Sequence, residues 1–85
     1  MSQVLMYSTE SCPYCQRAKA LLDSKGVIYT DIRVDLQPEK REEMIAKSGR
    51  RTVPQIFINN EPIGGCDELY ALEAQGTLQS LLERK

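Results

Sequence analysis

Two cysteines three residues apart, Cys12 and Cys15, are the best candidates in this chain for chemistry. They flank a Pro-Tyr pair, and a third cysteine, Cys66, follows far downstream in Gly64-Gly65-Cys66-Asp67. A thiolate is both an attacking nucleophile and a leaving group. Two thiols at this spacing can therefore open a disulfide and then close one between themselves. The 85 residues include no histidine, which excludes Ser–His and Cys–His catalysis and histidine-ligated zinc. Three cysteines are an odd and sparse set for a secreted disulfide scaffold. A structural zinc site asks for four ligands, so only a set completed by Asp67 stays open as a metal alternative.

The elements that must position this pair can be read from periodicity. Residues 3–7 place Val4 and Met6 on one face and Leu5 and Tyr7 on the other, the pattern of a strand buried on both faces. A small polar stretch follows. From Pro13 the period becomes helical, with Tyr14, Cys15, Ala18, Leu21 and Leu22 on one side, and Gly26 is the expected stop. Residues 27–35 alternate and predict a second strand with one wetter face. A helix is expected from Pro38 through Lys47, closed by Ser48-Gly49, with a solvated charge run at 39–43.

Gln55–Ile58 and the segment around Glu61–Gly64 predict a hairpin turned by Asn59-Asn60, and Pro62 marks its second strand as a sheet edge. A helix over 67–75 and a short one over 78–83 complete the order βαβαββα plus a C-terminal helix. Neither linker nor repeat interrupts residues 1–85, so one domain is expected.

In this order Cys12 precedes the first helix. The unpaired N–H groups and positive dipole end there favour a thiolate. Cys15, inside the first turn, should be more buried and keep its proton longer. Taken alone, the pair also fits two small core residues, although a polar loop beside a proline is a poor place to bury Cys12.

Cys12-Pro13-Tyr14-Cys15, Thr52-Val53-Pro54 and Gly64-Gly65-Cys66-Asp67 together resemble the glutaredoxins, over essentially the whole chain and most closely the short bacterial dithiol members. The resemblance implies a thioredoxin-like α/β fold, with a four-stranded mixed sheet of order 2-1-3-4 flanked by helices. It also implies a glutathione-dependent thiol–disulfide oxidoreductase acting on protein disulfides and glutathione mixed disulfides. Cys12 then stands as nucleophile and Cys15 as resolving thiol. The implied glutathione contacts are Tyr14, Arg41, Thr52, Val53, the cis-proline Pro54, Gly65, Cys66 and Asp67. Taken alone, Asp67 reads as a helix cap and Thr52-Val53-Pro54 as the approach to a strand.

One departure stands out: the family commonly has a lysine or arginine where this chain has Thr9. The same resemblance implies glutathione as co-substrate rather than any permanently bound cofactor. Two alternatives stay open: a dimer holding a [2Fe–2S] cluster through Cys12 and two glutathiones, and a glutaredoxin-like protein served by thioredoxin reductase.

Composition narrows the partners further. Eleven basic against twelve acidic residues, with a net charge of −1, leave no basic footprint for nucleic acid. No apolar run approaches the ~20 residues that span a bilayer. The start of the chain has no basic-then-apolar signal pattern. A reduced dithiol fits a cytoplasmic location, and a monomer is expected.

Overall fold

The computed structural model describes residues 3–83. In chain order the elements are β1 (Val4–Ser8), α1 (Pro13–Ser24), β2 (Thr30–Arg33), α2 (Pro38–Ser48), β3 (Gln55–Ile58), β4 (Glu61–Gly64), α3 (Cys66–Ala74) and α4 (Thr77–Glu83). The four strands form one sheet in the order β2-β1-β3-β4. β1 runs parallel to β2 and antiparallel to β3, and β3 is antiparallel to β4, so the sheet is mixed as expected.

The alternation in β1 explains the layering. Val4 and Met6 pack with Ile56 and Ile58 against Ala18 and Leu22 of α1, Leu69 of α3 and Leu78 of α4. Tyr7, on the opposite face, joins Phe57, Val34 and Met44 of α2. Helices therefore cover both faces, and the central strands carry apolar side chains both ways. Each fully buried side chain of this size contributes roughly 1.5–3 kcal/mol relative to exposure. Met44 is the only residue of α2 that is fully buried, so it carries most of that helix's attachment. Tyr7 adds a polar tether, its hydroxyl donating to Glu43 Oε2 at 2.6 Å.

The punctuation follows the sequence closely. Asn59 and Asn60 both adopt positive φ, 53° and 70°, the conformation demanded by a tight type I′ hairpin turn. Gly49 ends α2 in the left-handed region at φ 73°, its N–H donating to the Ile45 carbonyl at 2.8 Å. Pro62 sits on β4, an edge strand, where its missing N–H costs little.

The second strand is the main difference from the sequence expectation. β2 is only Thr30–Arg33, rather than 27–35. It is an edge strand whose sole partner is β1, with pairing that runs from Leu5↔Thr30 to Ser8↔Arg33. Val27 and Ile28 lie before the first pair, and Ile28 is 83% exposed. Val34 turns inward beyond the strand and its N–H donates to the Ser8 carbonyl. Smaller shifts occur at the helices. α3 begins at Cys66, one residue before the expected start, and α4 at Thr77.

Candidate active site

Cys12 is the N-cap of α1, with extended backbone (φ −94°, ψ 110°) and Pro13 directly after it. Its sulfur accepts a hydrogen bond from the Cys15 N–H at 3.2 Å. An amide at the positive end of a helix is thereby aimed at the sulfur, the polarity that stabilises negative charge there. On the other side, Cys12 Sγ donates to the Val53 carbonyl at 3.7 Å.

Cys15 is fully buried, and burial pushes its thiol up to about 12. A thiol–thiol interaction with the Cys12 side chain adds to that rise, while the Thr9 backbone and the Lys19 charge act against it. Cys66 is also buried, and burial raises its thiol. All three cysteines are free thiols. The arrangement thus pairs one accessible sulfur, facing amide and carbonyl groups, with one buried sulfur that holds its proton.

A groove of about 320 Å³ runs past Val53, whose carbonyl faces Cys12 Sγ. Tyr14 lines it from α1 with its ring 54% exposed, Thr52, Val53 and Pro54 line it before β3, and Gly65, Cys66 and Asp67 line it at the start of α3. The three motifs separated in sequence therefore meet in one place. The Val53–Pro54 peptide is cis, as the resemblance implies for Pro54. Arg41 does not line this groove. Its guanidinium donates to the Arg51 carbonyl at 3.0 Å, bracing the segment that leads into Thr52.

Three supporting residues escaped the sequence reading. Gln55 is 1% exposed, and its side-chain amide donates to the Thr52 carbonyl at 2.9 Å and to the Thr52 hydroxyl at 3.2 Å. Glu68 Oε1 accepts the Gly65 N–H at 2.6 Å and also faces Arg50 Nη1 at 3.4 Å; both Arg50 and Glu68 line the groove.

Asp67, which taken alone reads as a helix cap, lies two residues beyond the actual N-cap, Gly65. Glu68, three residues on, makes the return bond of a capping box. An acid three positions after a Gly-Gly turn was the signal available for this. The same contact accounts for Gly64: at φ +114° a Cβ there would come within 2.8 Å of Glu68. Among the described residues no cluster of three or more His, Cys, Asp or Glu is placed to hold a metal ion.

The glutaredoxin family model matches residues 4–63, which span β1, the cysteine pair, the cis-proline segment and most of β4. The chain belongs to the glutaredoxin family. A protein of Escherichia coli K12 named glutaredoxin 3 is 59% identical over 83 residues, 98% of this chain and 100% of the relative. Among solved glutaredoxins, that of Brucella melitensis superimposes with a TM-score of 0.84 at 53% identity, covering 95% of this chain and 88% of the other. The buckwheat glutaredoxin–glutathione complex gives a TM-score of 0.88 at 32% identity, covering 95% and 76% respectively. The element order and sheet topology of this glutaredoxin are thus those of a thioredoxin-like fold.

Proposed function

We propose that this glutaredoxin reduces protein disulfides and glutathione mixed disulfides, with Cys12 as nucleophile, Cys15 as resolving thiol and glutathione as electron donor. The observation that carries the reading is the Cys15 N–H on Cys12 Sγ at 3.2 Å, at the head of α1, with the same sulfur facing the carbonyl of Val53, which lines the groove.

The Cys12 thiolate attacks one sulfur of a substrate disulfide. A Cys12–S bond forms, the substrate S–S bond breaks, and the departing thiolate takes a proton from water. With a protein disulfide, Cys15 then attacks Cys12 Sγ. The Cys12–Cys15 bond forms, the mixed disulfide breaks, and the Cys15 proton ends on the released thiol. One glutathione thiolate next opens Cys12–Cys15, and a second removes the first as glutathione disulfide. With a glutathionylated substrate, Cys12 takes up the glutathione and a second glutathione discharges it, so Cys15 is not required.

Glutathione fits the groove chemically. The polar groups of Val53 lie beside Cys12 and suit an extended peptide laid alongside the chain. The start of α3 offers N–H groups to a carboxylate, and Asp67 offers a partner for an ammonium group. Tyr14 supplies an exposed ring against which the ligand can pack. The buckwheat relative solved with glutathione supports this choice of ligand. No helix of the described residues is long and apolar enough to cross a membrane, and a dithiol that must stay reduced fits a cytoplasmic location.

The deciding assay couples reduction of a glutathione mixed disulfide to glutathione reductase and NADPH. Cys12→Ser is expected to abolish turnover, whereas Cys15→Ser keeps deglutathionylation and loses the reduction of protein disulfides. Full activity in Cys12→Ser would overturn the assignment.

A further inference from the structure

Resolution requires a buried thiol to give up its proton, and one turn further along the same helix stands a cation whose charge favours that thiolate. Lys19 lies four residues after Cys15 on α1, one turn along the same face. Its ammonium is not free to wander: Nζ sits 2.8 Å from Asp31 Oδ2 on β2, and the other Asp31 oxygen accepts the hydroxyl of Ser8, a fully buried residue that ends β1. The Lys19 side chain is only 20% exposed. Ser8 precedes Thr9, whose backbone also acts on the Cys15 sulfur. The end of β1 thus anchors both influences that favour a charged Cys15.

We propose that Lys19 is a positioning residue for the resolving step, its ammonium fixed by Asp31 and Ser8 so that it stabilises the Cys15 thiolate as this attacks the mixed disulfide on Cys12. The inference rests on the reading of Cys15 as the resolving thiol.

The balance of charges around Cys15 changes in the intermediate. In the free dithiol, Cys12 opposes ionisation of Cys15 through the thiol–thiol interaction and its charge. Once Cys12 is bound to substrate that charge is gone. Burial is then opposed by the Thr9 backbone and Lys19. The chemistry balances without another reactant: Cys15 loses its proton, its electron pair forms the Cys12–Cys15 bond, and the substrate sulfur leaves with the electrons of the broken bond and accepts that proton. Deglutathionylation never uses Cys15, so it provides an internal control.

For every tenfold loss of Cys15 thiolate, the higher nucleophilicity of the more basic sulfur recovers roughly threefold, so a slowing of about threefold remains at neutral pH. The experiment follows single-turnover release of a fluorescent peptide thiol from its mixed disulfide on Cys12, in wild type, Lys19→Met and Lys19→Arg. Met keeps the length of the side chain without charge, and Arg restores the charge. Lys19→Met is expected to release the peptide more slowly than wild type, by about threefold for every tenfold of thiolate lost, with Lys19→Arg close to wild type. In a Cys15→Ser background, Lys19→Met should leave deglutathionylation turnover unchanged.

Release by Lys19→Met at the wild-type rate overturns the proposal. So does an equal slowing of deglutathionylation in the Cys15→Ser background, because Lys19 would then act on Cys12. If wild type itself releases no peptide, the resolving role of Cys15 fails instead, and the two failures are distinguished.

Discussion

The Cys15 backbone N–H donates to Cys12 Sγ at 3.2 Å, while the sulfur of Cys15 lies fully buried beneath it. A single residue thereby supports the reactive sulfur through its amide and withholds its own thiol. The two cysteines should differ sharply towards an electrophile, because the thiolate is the species that reacts. Reduced protein treated with iodoacetamide at neutral pH is expected to gain one adduct, on Cys12. Cys15, held near 12, and Cys66, raised by burial, should remain unmodified. Intact mass followed by peptide mapping checks this, and a first adduct on Cys66 would refute it.

Burial of the Cys15 thiol also makes folding depend on pH. Unfolded, this thiol titrates near 8.5; folded, it is raised to about 12. A raised folded value means that the stabilisation is fully present below ~8.5 and is lost as pH climbs towards 12, at up to about 1.4 kcal/mol per pH unit. The Tm of the reduced protein should therefore fall between roughly pH 8.5 and 10.5. Cys15→Ala should lack this part of the slope. Cys66, likewise raised by burial, adds a slope of the same sign that Cys15→Ala retains, while Tyr7 and Tyr29 begin to contribute only near pH 10. Melting curves of both proteins across this range test the sign.

The parts of the molecule legible in the sequence were those fixed by local chemistry. Pro13 after Cys12 marked the start of α1, Asn59-Asn60 marked the hairpin, and Pro62 marked an edge strand. The parts that were not legible depend on partners distant in the chain. β2 stops where its pairing with β1 stops, a boundary that the alternation of residues 27–35 does not encode. Arg41 has the right type for an anion contact, yet its reach to Arg51 depends on how α2 meets the following loop. Gln55 reads as an ordinary strand residue, and only the approach of the preceding loop lets its amide hold Thr52.

Glu68 links helix stability to the shape of the groove. Its carboxylate accepts the Gly65 N–H and is held below the usual carboxylate range chiefly by that bond. Glu68→Ala should cost about 1 kcal/mol and lower the Tm by roughly 4–8 °C, while Glu68→Gln should keep most of the stability. Because the folded value is depressed, the stabilisation is present above ~4.3 and fades as pH falls through the folded value. A thermal melt series from pH 7 to 3 on wild type and Glu68→Ala reads both effects.

Arg41 should act through the loop it braces. Removing its bond to the Arg51 carbonyl loosens the approach to Thr52 and Val53, which line the groove. Arg41→Ala is expected to raise KM for a glutathionylated peptide several-fold with little change in kcat, the signature of lost uniform binding. Arg41→Gln, with a shorter donor, should fall between. An unchanged KM in Arg41→Ala would show that the loop holds its shape without the brace.

Thr9 is uncharged where the glutaredoxin resemblance implies a lysine or arginine. It follows β1 directly, and its backbone already acts on Cys15. A lysine there would keep that backbone contact and add a cation near the cysteine pair. The cation lining the groove, Arg50, faces Glu68 at 3.4 Å and is partly neutralised by it. Thr9→Lys should therefore lower KM for a glutathione mixed disulfide. An exposed charge pair is worth up to about 1 kcal/mol, equivalent to at most about fivefold. The gain should shrink as ionic strength rises and the Debye length contracts. Steady-state kinetics at low and high salt test both statements. If KM stays flat at low salt, the carboxylates of the ligand already find their cation elsewhere, and Arg50→Ala becomes the variant that raises it.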